Sequence, residues 1–325
     1  KHKIEYIPDD VLVQIQDALK VEENPYIKRY CHFPNRLYIE SLTESFRLQS
    51  FTSVAKRLGV SVTSIIRWFD KLNCPHPKLP ECIAIDEFRG NAGGEKFQCN
   101  VADPVKHKVI DILPSRNTED LCKHFLEYPY KERAEVKKIV MDLSTLFRSV
   151  AKTMFPEAKI VADKFHVIRV VINSLENVRK RIQKEFHETK RKWFKRSRYL
   201  LLKPEYKLTD EDKTELARML NSSYDLEKAY VLKERFYEVF RKQTRTEAKK
   251  ELGNWLLLAA DLSLPEFRHC ITTFSNWKTE IANIIGERVS NGFIEGSNNK
   301  IKVLKRISYG VRNFDRFRNR ILYLE

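Results

Sequence analysis

Apolar positions recur at helical spacing through the first 73 residues, run together or alternate between residues 82 and 162, and return to helical spacing from residue 168 onward. Val11, Leu12, Ile15 and Leu19 predict a helix over 9–20, within a segment, residues 1–40, whose role the pattern does not assign. Between Leu42 and Leu72 a small residue, a tight turn and a second helix follow in order. Ala55 stands where two helices must approach closely, Gly59 where a turn demands positive φ, and Ile65 where the second helix packs back. Leu58, Val60 and Trp68 can fill the remaining core. The layout is a helix-turn-helix over 41–73, its second helix running from Val62 to Leu72 with Ser61 as the cap. Ser61, Thr63, Ser64 and Arg67 then present the hydroxyl and guanidinium groups that bind phosphates and base edges.

Three prolines between Asn73 and Pro80 deny a helix its amide donors, so 74–81 reads as a linker. The period then changes. Cys82 to Phe88 is a short apolar run, Lys96 to Ala102 and His107 to Leu113 alternate, and strands at Val136–Met141 and Ala158–Ala162 are interleaved with helices at Thr118–Glu127 and Leu143–Phe155. The order β-β-β-α-β-α-β matches a ribonuclease H-like α/β domain, with its first part over 82–167.

That order gives the carboxylates their meaning. Asp86 ends the first strand and Asp142 ends the strand after the first helix; side by side they would repel, and a divalent cation between them removes the repulsion. Magnesium suits such oxygen ligands, and two ions can serve the attacking and leaving oxygens of a phosphodiester. A third carboxylate is expected from Asp163, Glu295, Asp111 or Glu87. Glu295 shares one face of a basic helix with Asn291, Asn298 and Lys302, while Ile294, Ile301 and Leu304 form an apolar stripe.

Charge extends this picture. The chain has 325 residues, 60 Lys and Arg against 44 Asp and Glu, and a net charge of +16, which points to a polyanionic partner, nucleic acid above all. No window is long and apolar enough for a bilayer, and the six cysteines form no CxxC pair; a soluble protein of a reducing cytoplasm is expected. The first residue is lysine, so the chain is expected to begin partway into a longer sequence. Residues 168–285 read as an all-helical insertion whose first helix, from Ile168 to about Lys195, carries Arg179, Arg181, Lys184 and Arg191 as candidate DNA contacts. Further helices are predicted at 210–221, 225–250 and 252–260. Residues 286–325 form a C-terminal helical part of the catalytic domain, where Lys302, Lys305 and Arg306 would meet the DNA backbone.

The blocks IAIDEF (83–88), VMDLS (140–144), ADKFHV (162–167), SNGFIEGSNNKIK (290–302) and YGVRNF (309–314) resemble, in order, those of the ISL3 family of bacterial insertion-sequence transposases. The resemblance spans about Ser53 to Leu324 and implies a DDE triad of Asp86, Asp142 and Glu295. It also implies two magnesium ions replaceable by manganese, DNA substrates that are the element's inverted-repeat ends and the target, a homodimer, and a location in the bacterial cytoplasm at the nucleoid. Asp163 to His166 fits the D-x-x-H element that follows the second aspartate in related enzymes, so His166 is expected at the scissile phosphate or an attacking water. Members generally carry a Cys-rich zinc-binding segment before the helix-turn-helix, and no such pattern stands in this sequence. Two other readings are a ribonuclease H-like nuclease without strand transfer and a DNA-binding regulator with an inactive catalytic domain.

Overall fold

The computed structural model describes residues 33–324 apart from 75, 288 and 290; the helix expected over 9–20 lies outside them. The chain divides into two compact units, one up to Asn73 with residues 323–325, the other Cys74–Leu322.

In the first unit, helices α1 (Asn35–Ser45), α2 (Phe51–Leu58) and α3 (Val62–Phe69) close over Val54, Ala55 and Ile65, with Leu58, Val60 and Trp68 packed against them. Ser50 starts α2 by accepting from the Ser53 amide at 3.1 Å. Gly59 ends it in the left-handed region at φ 66°, where a side chain would be strained. Ser61 then caps α3 through the Ser64 amide at 3.1 Å. The last helix stops at Phe69, three residues before the predicted end: the Lys71 and Leu72 amides reach back only three residues, to Trp68 and Phe69, so the final turn tightens.

The second unit is built on a five-stranded mixed sheet of β1 (Cys82–Phe88), β2 (Gln98–Asp103), β3 (Lys108–Leu113), β4 (Lys138–Met141) and β5 (Lys159–Ala162), in the order β3-β2-β1-β4-β5. The first three strands pair antiparallel, and β4 and β5 add parallel to β1. Helices α4 (Thr118–Leu126), α5 (Tyr130–Glu135) and α6 (Thr145–Met154) make the crossovers; α5 escaped the sequence pattern because its six residues bury none of their side chains.

Strand alternation sends β1 to two cores. Ile83 and Ile85 join a large core with α4 and α6 that continues without a break into the helices beyond β5. Ala84 and Phe88 point the other way, toward α15 (Gly292–Ile307) and α16 (Phe314–Leu322), where Ile294, Ile301, Leu304 and Phe317 are buried. Asp86 shares that second face.

Between β5 and α15 the chain is helical: α7 (Lys164–Ile182), α8 (Glu188–Arg196), α9 (Arg198–Leu202), α10 (Asp210–Leu220), α11 (Tyr224–Tyr237), α12 (Arg245–Asp261), α13 (Arg268–Asn276) and α14 (Lys278–Ala282). The single helix expected over 168–195 is two, broken where Phe186 turns extended. The helix expected over 225–250 also breaks. Thr244 and Glu247 form a capping box that starts α12 afresh, a T-x-x-E signal present in the sequence. Phe236, Trp255 and Phe274 pack ring to ring at 5.0–5.6 Å in the bundle centre.

Candidate active site

Asp86 and Asp142 meet because of register. The parallel ladder of β1 and β4 pairs Ile85 with Met141, and each aspartate is the next residue along its strand. Asp142 lies one residue past β4, where its Oδ1 accepts from the Ser144 amide at 3.1 Å as α6 begins. Asp86 Oδ1 accepts from the Glu87 amide at 2.9 Å. Burial pushes the Asp86 carboxyl up to about 6, with Asp142 adding to the rise and His166 opposing it. Burial likewise raises Asp142 above the ordinary carboxylate range. Among the described residues neither carboxylate has a lysine or arginine partner. Asp86 does not end its strand as expected, since β1 runs on to Phe88, but two desolvated carboxylates without a lysine or arginine partner, side by side on neighbouring strands, fit a hard divalent cation.

Glu295 stands in the first turn of α15, exposed. One turn on, Asn298 donates from Nδ2 to Asp86 Oδ2 at 2.8 Å and accepts at Oδ1 from Asn100 Nδ2 at 2.9 Å. Asn100 is the residue paired with Asp86 across the antiparallel ladder, and it also donates to Ser297 at 3.2 Å. The network fixes the helix that carries Glu295 against the strand that carries Asp86, and each Asp86 oxygen accepts one hydrogen bond from the protein.

Asp163 caps α7, accepting from the His166 amide at 3.3 Å, and its Oδ2 lies 2.5 Å from His166 Nδ1. That hydrogen bond, against the opposing effect of burial, raises the imidazole above its usual range; Asp142 and Asp86 add to the rise. Of the other carboxylates considered for a third position, Glu87 is engaged by Arg116 at 2.7 Å, and Asp111 lies on the edge strand β3, bound by Arg318.

The candidate DNA contacts fall into two groups. Thr63 and Arg67 are exposed on α3, whereas Ser61 and Ser64 are bonded to each other at 2.9 Å at the helix start. Lys184, Arg191, Lys302 and Arg306 are exposed, and Lys305 reaches the Arg89 carbonyl at 2.8 Å. Arg181 is held by Glu266 at 2.6 Å and Asp225 at 2.9 Å. Three expectations need correction. Arg179 is buried and clamped by Glu176 at 2.8 and 3.1 Å, because its position on α7 faces the bundle. Asn291 and Asn298 are buried as well, and Asn298 is turned to the sheet by its bonds to Asp86 and Asn100. None of the three can touch DNA from those places. The helical period grouped Asn298 with Glu295 and Lys302, but Asn298 is buried and those two are exposed; only its partners across the sheet, Asn100 and Asp86, show where it is engaged.

No helix among the described residues is long and apolar enough to cross a membrane. The described residues thus join a helix-turn-helix to a mixed sheet with two aspartates side by side. Two family matches agree with it: residues 83–321 match the family of DDE transposases of the ISL3 type, described as transposase, and residues 22–73 match the helix-turn-helix domain of transposase family ISL3. The chain belongs to the ISL3 transposase family. It is 27% identical over 241 residues to the transposase for insertion sequence element IS1001 of Bordetella parapertussis, covering 73% of this chain and 59% of that one. It is 25% identical over 254 residues to the transposase for insertion sequence element IS1557 of Mycobacterium tuberculosis strain CDC 1551, covering 71% and 57%. The chain thus spans less than two thirds of these relatives. A shorter similarity, 36% over 94 residues, covers 29% of this chain and 26% of a Lactococcus lactis protein named ATP-dependent protease.

Proposed function

We propose that the chain carries the DNA-binding and catalytic parts of a DDE transposase, with a ribonuclease H-like domain interrupted by the helices of residues 168–285. The observation that carries this reading is the junction at Asp86: Asp142 beside it on the parallel strand, and α15, bearing Glu295, tied to it through Asn298. Asp86, Asp142 and Glu295 would hold the divalent cations. When bound, two magnesium ions, replaceable by manganese, supply the charge that activates an attacking oxygen and stabilises the leaving one.

The chain's own groups do the positioning. Asn298 and Asn100 orient Asp86, and the Asp163 hydrogen bond keeps the His166 ring fixed and readily protonated near both aspartates, where it can face a phosphate oxygen. Water is the first nucleophile and frees a 3′ hydroxyl; that hydroxyl attacks target DNA in the second step. Each step forms one P–O bond and breaks another, so no covalent enzyme intermediate is needed. Thr63 and Arg67 read the inverted-repeat ends, Lys184, Arg191, Lys302 and Arg306 neutralise phosphates, and a homodimer at the nucleoid pairs the two ends.

The test is incubation of the chain with labelled element ends, magnesium and a supercoiled target. Joined products from the wild type and none from Asp86→Asn are expected. Cleavage without joining would instead establish a nuclease, and binding without cleavage a regulator.

A further inference from the structure

At the outer edge of the sheet a second set of ligating groups gathers, on strand β3 rather than on β1. His76 from the Pro-rich segment, Asp111 of β3 and His124 of α4 each bring one ligand atom within 4.8 Å of the other two. His76 Nδ1 lies 3.6 Å and His124 Nε2 3.7 Å from the same atom, Asp111 Oδ2. Both separations are too long for a hydrogen bond, yet the two imidazoles converge on one carboxylate oxygen. Ligand atoms around a tetrahedral zinc ion with ordinary bond lengths are separated by about 3.3–3.4 Å, so each imidazole would close on the carboxylate oxygen by a few tenths of an ångström.

The surroundings are arranged as a metal's outer partners are. His76 Nε2 is 3.1 Å from Glu127 Oε2, which places its proton there and leaves the Nδ1 lone pair facing Asp111. Asp111 Oδ1 is occupied by Arg318 Nε at 2.5 Å and the Ile112 amide at 2.7 Å, which leaves Oδ2 for the interior. Tyr128 supplies an independent sign. Its ring stands edge-on to both imidazoles, at 5.9 and 5.7 Å, and its buried hydroxyl has no hydrogen-bond partner among the described residues. A water bound to an ion here would give that hydroxyl a partner.

We propose that His76, Asp111 and His124 bind one zinc ion, with water in the fourth position, and that the ion ties the Pro-rich segment to the sheet edge. Two imidazoles and a carboxylate select zinc or a similar transition ion over magnesium, which prefers an all-oxygen shell. The segment is already engaged further along, through the Leu79 amide on Glu132 at 2.6 Å and Lys78 on Glu135 at 3.0 Å; the ion secures its start.

The test strips the full chain with a chelator, offers Zn²⁺ alone, and measures the zinc retained after gel filtration. The wild type and Asp86→Asn should keep about one equivalent, and His76→Ala roughly a tenth of that or less. His76 is half exposed, so its replacement leaves the core intact, and circular dichroism checks this. Cobalt should give the intense visible bands of tetrahedral coordination in the wild type and not in His76→Ala. Zinc should also slow tryptic cleavage after Lys78 in the wild type alone. No zinc on the wild type, equal zinc on His76→Ala, or zinc lost with Asp86→Asn and kept with His76→Ala would each overturn the site.

Discussion

Asp86 ties stability to catalysis through its proton. Its folded-state pKa, about 6, lies above the ordinary 3.8, so the folded chain holds that proton more tightly than the unfolded one. Its contribution therefore favours folding below about pH 4 and turns against folding as pH rises through 6. Asp86→Asn removes a half-buried charge that has no lysine or arginine partner among the described residues, and in the presence of a chelator it should raise stability at pH 7.5 by about 2 kcal/mol, read by thermal melting. Magnesium should raise the melting temperature of the wild type and leave Asp86→Asn unmoved. Proton and cation compete for this carboxyl, so the magnesium concentration needed for half-maximal DNA joining should rise as pH falls toward 6. The aspartates themselves were legible in the sequence, each at the end of an apolar run. The groups that orient or engage their neighbourhood were not: Asn100 lies on another strand, and Asn298 looks like a surface amide until the helix is laid on the sheet.

Among the elements, the helix-turn-helix was the most legible, since its turn, caps and core are all local in sequence. Gly59 at φ 66° has open space around it, so Gly59→Ala tests conformation alone: a loss of roughly 1 kcal/mol in the stability of the first unit is expected, with weaker DNA binding in a band-shift titration. The long helices were the least legible. Charge density along residues 179–198 suggested one exposed basic face, but a helix that joins a bundle must turn some of its residues inward, and Arg179 is one of them. Arg179→Ala leaves Glu176 buried without its partner and should cost roughly 3–5 kcal/mol in denaturant unfolding. Arg191→Ala on the exposed surface of α8 should leave stability unchanged and weaken DNA binding.

For the whole molecule, a net charge of +16 makes DNA affinity steeply salt-dependent, and each of Lys184→Ala, Arg191→Ala, Lys302→Ala and Arg306→Ala should reduce the slope of log affinity against log salt by roughly 0.9. The strand order was implied by the element order, because two parallel strands after an antiparallel meander need crossover helices and therefore join on the far side of β1. What the order of elements could not show is how the helices from residue 164 to 282 relate to the sheet; they share its core continuously, through long-range contacts that no local period records. That shared core lies on one face of the sheet and α15 on the other, where Asn298 of the helix reaches Asp86 of β1. The most direct measurement is the joining of labelled element ends to a target plasmid by Glu295→Gln. Loss of joined product, with DNA binding and melting temperature kept at wild-type values, is the predicted result; joining within a few-fold of the wild type would contradict it and exclude Glu295 from the catalytic centre.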